Sequence, residues 1–225
     1  MTRISTRLAR RSIGDLFVYY FVRNLVTVIC RVWCRMTVEG GRNIPREGLF
    51  ILAPTHRSIL DTPITSGVTR RRLRFMGADK WWSNKVLGRV LTACGGFPVS
   101  RGTADREALR RCIELLESGE PLVMFPEGER KSGPTVQPLF DGASYIAMKA
   151  NVPIIPMAIA GSERAMPKGA KFVFPRKVHV VIGEPMRVAE AENSKLQREA
   201  ARVLSQDLHA ELQRLLDAAN ARITR

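Results

Sequence analysis

Two residues frame the chemistry open to this sequence. His56 follows the apolar run 49–54, and Asp61 stands five positions later. An imidazole whose N–H is received by a carboxylate keeps its other nitrogen as a base, which is the division of labour needed to deprotonate a hydroxyl. In a regular helix that spacing separates the side chains by ~140°, so the pair meets only if His56 precedes a helix that Asp61 helps to open. Taken alone, the spacing also fits a turn histidine followed by an acid that complements a helix N-terminus. No Gly-x-Ser-x-Gly elbow occurs, so the base is expected to act on a substrate hydroxyl directly. Ser58, inside the turn, reads as a capping or positioning hydroxyl and not as a nucleophile.

Two further clusters set cations beside flexible backbone. In Gly95-Gly96-Phe97-Pro98-Val99-Ser100-Arg101-Gly102, Arg101 follows a short apolar run, where a guanidinium can grip a phosphate bidentately. In Phe125-Pro126-Glu127-Gly128-Glu129-Arg130-Lys131, Arg130 lies near Gly128, a residue that permits close backbone approach to a ligand. Gly128 and Gly133 have the spacing of P-loop glycines, but Pro134 stands where the lysine is needed, which argues against an NTPase.

Strand ends would bring these residues together. Short β-type runs at 49–53, 73–76, 97–99, 122–125, 154–159 and 178–182 alternate with helical stretches near 58–67, 83–94, 104–117 and 142–149, and an amphipathic helix is expected at 194–223. This pattern predicts an α/β domain with a central mixed, largely parallel sheet flanked by helices. Ligands bind such sheets beyond the carboxyl ends of strands. His56, Arg101 and the loop 127–131 all follow predicted strands.

Composition narrows the partners. A chain of 225 residues with 45% hydrophobic content supports one sizeable core. Its net charge of +15 favours an anionic partner: nucleic acid, acidic lipid or a phosphorylated substrate. Arg70, Arg71, Arg72 and Arg74, with the amino-terminal arginines, are the charge that a binding-only protein would use; no nucleic-acid motif accompanies them, and no nucleic-acid partner is expected. His179, His209 and the four cysteines include no CxxC pair or recognisable zinc spacing. Cys30 and Cys34 share a helix face, where small apolar packing in a reducing compartment is the expectation.

The first 36 residues read as a basic amphipathic segment, and 37–225 as the α/β domain. Asp15, Arg23, Arg31 and Arg35 interrupt the apolar stretch 16–36, leaving no uncharged run near the ~20 residues of a bilayer crossing. At helical period Leu25, Val28, Ile29, Val32, Trp33 and Met36 share one stripe, and Arg23, Thr27, Arg31 and Arg35 another. Such a helix suits the headgroup layer of an anionic membrane surface, the alternative being a helix packed on the domain's own core.

Four ordered blocks carry a resemblance: His56-Arg57-Ser58-Ile59-Leu60-Asp61, Phe97-Pro98-Val99-Ser100-Arg101, Phe125-Pro126-Glu127-Gly128 and Val152-Pro153-Ile154-Ile155-Pro156. Together they resemble the glycerol-phosphate and lysophosphatidic acid acyltransferase family. The resemblance implies transfer of a fatty acyl group from acyl-CoA or acyl carrier protein to a lysolipid hydroxyl, typically yielding phosphatidic acid, at the cytoplasmic face of the cell membrane, with no metal or bound cofactor. It implies His56 as general base and Asp61 as its partner, Arg101 as a phosphate ligand, Glu127 and Gly128 in acceptor binding, and Arg130 assisting with phosphate. Thr55 stands where the family often has asparagine, and Glu129 and Lys131 where small hydroxyl residues are commoner. These departures fall on the acceptor side, for which glycerol-3-phosphate or another lysophospholipid or glycolipid is the alternative. A hydrolase that uses His56 to activate water is the rival enzyme reading.

Overall fold

The computed structural model describes residues 13–99, 106–187 and 194–224. Seven strands form one sheet: β1 (Thr37–Glu39), β2 (Ile51–Pro54), β3 (Arg74–Ala78), β4 (Gly96–Val99), β5 (Leu122–Val123), β6 (Ile154–Ala160) and β7 (His179–Ile182), in the order β1-β7-β6-β2-β5-β3-β4. Only β6 and β7 pair antiparallel; every other neighbour is parallel. The helices are α1 (Ile13–Trp33), α2 (Asp61–Gly67), α3 (Lys85–Ala93), α4 (Arg106–Glu117), α5 (Gly142–Lys149), α6 (Ser162–Ala165) and α7 (Ser194–Thr224). The mixed, largely parallel sheet expected from the alternation is the one observed.

β2 and β6 are buried along their whole length, as strands covered on both faces must be. Successive side chains therefore enter different cores. Ile51 and Ile154 join Cys112, Leu116, Ile146, Leu208 and Leu212 of α4, α5 and α7, whereas Leu52 and Ile155 join Cys30 of α1 and Ile64 of α2. The four thiols are free, and Cys30, Cys34 and Cys112 are buried, matching the packing role expected of the first two. Burial pushes the Cys112 thiol up to about 12.

Three local departures have physical causes. The run 122–125 makes a ladder of only two residues; Met124 N–H still donates to Leu52 O at 3.0 Å, but Pro126 has no N–H to continue it. β1 is an edge strand with exposed ends and no apolar alternation, so no period announced it. The arginine run is dispersed: Arg72 and Arg74 are buried beside Glu120, with Arg74 Nε 2.5 Å from its carboxylate, and Arg71 donates to Pro45 O and Gly48 O. Only Arg70 of this group is exposed, so the run forms no basic stripe.

Of the two arrangements open to α1, the structure leaves the large apolar side chains outside. The first half of its polar stripe meets the protein, while Arg31 and Arg35 stay exposed: Arg23 Nη1 donates to Thr69 O at 3.1 Å, and Thr27 lies so close to Gly67 of α2 that a Cβ there would sit 2.5 Å from the threonine hydroxyl. One turn earlier, Tyr19 Oη accepts the Leu73 N–H at 3.0 Å. The opposite face, Phe17, Phe21, Leu25, Val28 and Val32, is exposed. Met36 does not join it; the helix ends at Trp33, the chain turns at Arg35 with φ 45°, and Met36 is buried. The unbroken 21 residues are long and apolar enough to cross a bilayer by length and composition, which the separate uncharged runs did not suggest. Along its Tyr19, Arg23 and Thr27 side the helix packs on α2 and on the segment between α2 and β3. The residues before Ile13, with their arginines, lie outside the described residues.

His179 links the sheet's edge to its interior. It is 3% exposed, with Nδ1 2.6 Å from Thr37 Oγ1 and Nε2 3.6 Å from Glu39 Oε1. Burial holds its pKa below the ordinary value; Glu39 opposes that, while Arg222 and Lys177 add to it. The unfolded chain therefore takes up the proton first, near ~6.5. Stability from the neutral ring is complete above that point and is lost as pH falls toward the lower folded value. Thermal unfolding followed by circular dichroism is expected to show a midpoint that drops between about pH 7 and about pH 5, with a shallower drop in His179→Gln.

Candidate active site

β2 ends at Pro54, and α2 begins at Asp61. The residues between them form a tight turn that folds back on the Asp61 carboxylate. Asp61 Oδ2 accepts the backbone N–H of Arg57 at 2.5 Å and of Ser58 at 2.6 Å, and lies 3.1 Å from His56 Nδ1. Asp61 is fully buried and opens α2, so the turn's amides and the helix N-terminus both favour its charge. His56 thus precedes the helix and Asp61 starts it, as their contact requires. A carboxylate can only accept here, so Nδ1 carries the hydrogen and the lone pair of neutral His56 sits on Nε2. Phe125 stacks on the ring with centroids 4.0 Å apart and fixes its plane. The His56 side chain is 12% exposed, so a ligand can reach one edge of it.

The backbone of His56 is held from the other side by Glu127. This carboxylate has no exposed surface. It accepts His56 N–H at 2.9 Å, Gln137 N–H at 3.1 Å and Arg57 Nη1 at 2.7 and 3.0 Å. Arg57 is itself buried and donates through Nη2 to Thr135 O at 3.0 Å. Glu127 is therefore committed to protein donors and faces no solvent. Beyond it the loop crosses the turn again, where Lys131 N–H donates to His56 O at 2.8 Å.

The remaining candidates separate by exposure. Gly128 has φ 71°, and a Cβ there would meet the Phe140 ring at 2.6 Å; the position requires glycine both for its backbone and for the ring above it. Arg130 is exposed on the same loop. Glu129 and Lys131 pair at 2.8 Å near the surface. Thr55 is fully buried; its amide donates to Met157 O and its hydroxyl accepts the Ile159 N–H at 3.0 Å. It extends the β2–β6 ladder past Pro54 and does not face a ligand. Ser58 Oγ donates to Met166 O at 2.8 Å and accepts the Leu60 N–H, which is a positioning role. Arg101 lies outside the described residues.

A cleft of about 470 Å³ opens next to the turn, between Gly161 at the end of β6, the Gly133-Pro134 bend and the last turns of α7, and it meets the turn at Arg57. His56 does not line it. Among the described residues no group of three or more His, Cys, Asp or Glu side chains is placed to hold a metal ion.

Arg57 and Phe125 are the functional neighbours that sequence reasoning passed over. Both stand inside the quoted blocks, but an arginine beside a histidine carries no pattern that marks it as buried. Its partner is 70 positions away, beyond any local period.

Comparison with known proteins places this arrangement. A family model described as Acyltransferase matches residues 35–160. The 1-acyl-sn-glycerol-3-phosphate acyltransferase of Bacillus subtilis is 30% identical over 174 residues, covering 76% of this chain and 84% of that protein. The protein of the same name from Streptococcus pneumoniae is 27% identical over 212 residues, covering 90% and 74%. The crystal structure of the 1-acyl-sn-glycerophosphate (LPA) acyltransferase PlsC from Thermotoga maritima superposes with a TM-score of 0.68 at 25% identity, covering 89% of this chain and 83% of that one. The family match takes in more than half of the chain and every strand from β1 to β6, so the chain belongs to the acyltransferase family, as an enzyme that transfers acyl groups to oxygen.

Proposed function

We propose that this enzyme acylates the free hydroxyl of 1-acyl-sn-glycerol-3-phosphate to give phosphatidic acid, drawing the acyl group from acyl-CoA or acyl carrier protein. The observation that carries the reading is the 3.1 Å His56–Asp61 contact in a turn whose serine is engaged with Met166 O. A base so placed serves a hydroxyl brought by the substrate. His56 Nε2 takes the hydroxyl proton as the oxygen attacks the thioester carbonyl, and Asp61 balances the imidazolium. Collapse of the tetrahedral adduct breaks the carbon–sulfur bond, and the departing thiolate takes the proton back from His56. No acyl-enzyme forms.

Arg101 and Arg130 are the groups we assign to the acceptor's phosphate, and Gly128 shapes the loop that carries Arg130, with the Phe140 ring against it. We assign Glu127 to positioning: it holds His56 through backbone and Arg57, and binds acceptor only through the loop it orders. Attachment is to a membrane surface, at the cytoplasmic face, with the exposed stripe of α1 in the lipid and the domain above it.

Thiol release from palmitoyl-coenzyme A, measured with and without lysophosphatidic acid while the lipid product is followed by mass spectrometry, tests the reaction. Release that depends on acceptor and forms phosphatidic acid is expected; release with only free fatty acid would identify a hydrolase. His56→Ala is expected to lower turnover by about 10² to 10⁴ without shifting the thermal midpoint, and Asp61→Asn to lower turnover as much with a lower midpoint, because its buried carboxylate also holds the Arg57 and Ser58 amides; a fully active His56→Ala protein would sink the mechanism. Arg101→Ala should raise KM for the phosphorylated acceptor far more than it lowers kcat. Glu127→Gln is expected to behave differently, costing about 3–5 kcal/mol of stability because it strands the Arg57 charge, as chemical denaturation would show.

A further inference from the structure

Beyond α6 the chain forms a loop, 166–177, that carries Phe172 at 77% and Phe174 at 48% exposure. Lys168, Lys171 and Arg176 around them are exposed as well. The backbone of this loop is fixed: Phe174 N–H donates to Ala165 O at 2.7 Å, Arg176 N–H to Phe174 O at 2.8 Å, and Trp33 Nε1, at the end of α1, to Val173 O at 2.9 Å. The two phenylalanine rings are thus held away from the protein by a bonded loop and joined to the apolar helix.

A similar feature follows β3. The turn Asp79–Trp82 presents Trp81 at 41% exposure, with Lys80 Nζ 5.6 Å over its ring. α3 continues from it with Val86 and Val90 exposed, and packs against α1. In the sheet, β2 and β5 lie between β6 and β3, and all four strands run parallel. Both aromatic features therefore follow carboxyl ends at the same sheet edge, on opposite sides of the strands that deliver His56 and Glu127.

We propose that the Trp81 turn and the Phe172–Phe174 loop are two membrane-inserting lips that straddle the His56 turn and seat it against an acidic bilayer. Aromatic rings interleaved with lysine and arginine match the chemistry of the headgroup layer, where apolar burial and attraction to anionic lipid add. The inference rests on the reading of α1 as a helix lying in that layer, and is continuous with it through Trp33 and α3. It gives the acceptor a route in which its acyl chain remains in lipid while its headgroup and free hydroxyl rise to His56.

Nitroxide labels on Val28→Cys, Phe172→Cys and Trp81→Cys, each in a Cys94→Ala background, would be read by their accessibility to oxygen and to a water-soluble nickel complex. The protein is bound to vesicles of phosphatidylcholine and phosphatidylglycerol in equal parts. All three labels are expected within the bilayer. A label at 28 in lipid with either 172 or 81 in water overturns the two-lip arrangement and leaves α1 attachment standing; all three in water overturn both. The double change Phe172→Ser with Phe174→Ser is expected to lower turnover of vesicle-embedded acceptor about tenfold while sparing a short-chain acceptor dissolved in water. Equal loss on both acceptors would show a merely structural role and overturn the proposal.

Discussion

A carboxylate removed from water must be answered by donors, and Glu127 is answered by residues that build the site. Its charge is met by the Arg57 guanidinium and by the amides of His56 and Gln137. Leaving any of these unmade would bury an unmatched charge or amide. The pair therefore ties the course of the chain after β2 to that after β5. His56 inherits its place from that constraint. Asp61 then needs to fix only the ring, and Phe125 only its plane.

The two faces of α1 show the same rule working with a different solvent. An ordinary surface helix turns its apolar stripe inward. Here the inward side is anchored by Tyr19 and Arg23 through hydrogen bonds with Leu73 and Thr69 and by close packing of Thr27 on the α2 glycine, and the large apolar side chains are left outside. That arrangement is favourable only where the surroundings are themselves apolar. The domain beneath keeps a conventional apolar interior on both faces of the sheet.

Much of this was legible in the residues. Burial on both faces makes β2 and β6 continuous apolar runs, and α3 and α4 are periodic, so both kinds of element announce themselves locally. The five-residue offset of His56 and Asp61 was enough to place a turn before a helix. What could not be read depends on distant partners. Arg57 looks like a surface arginine until Glu127 is beside it; Thr55 looks like part of a ligand site until its hydroxyl meets Ile159 N–H across the ladder. The orientation of α1 was ambiguous because two stripes were visible and nothing local says which one meets the domain. β1 and α6, at three and four residues, are too short to carry a period.

The 70 positions between Arg57 and Glu127 also impose a sequence of events on biosynthesis. A chain leaving the ribosome offers α1, with an apolar face that needs no later residue to complete it, before the His56 turn, and that turn before the carboxylate that steadies it. Domains assemble from the amino terminus as they are made, yet this site must wait for β5. In a nascent chain the helix is thus complete, apolar face included, while the His56 turn still lacks the carboxylate that steadies it.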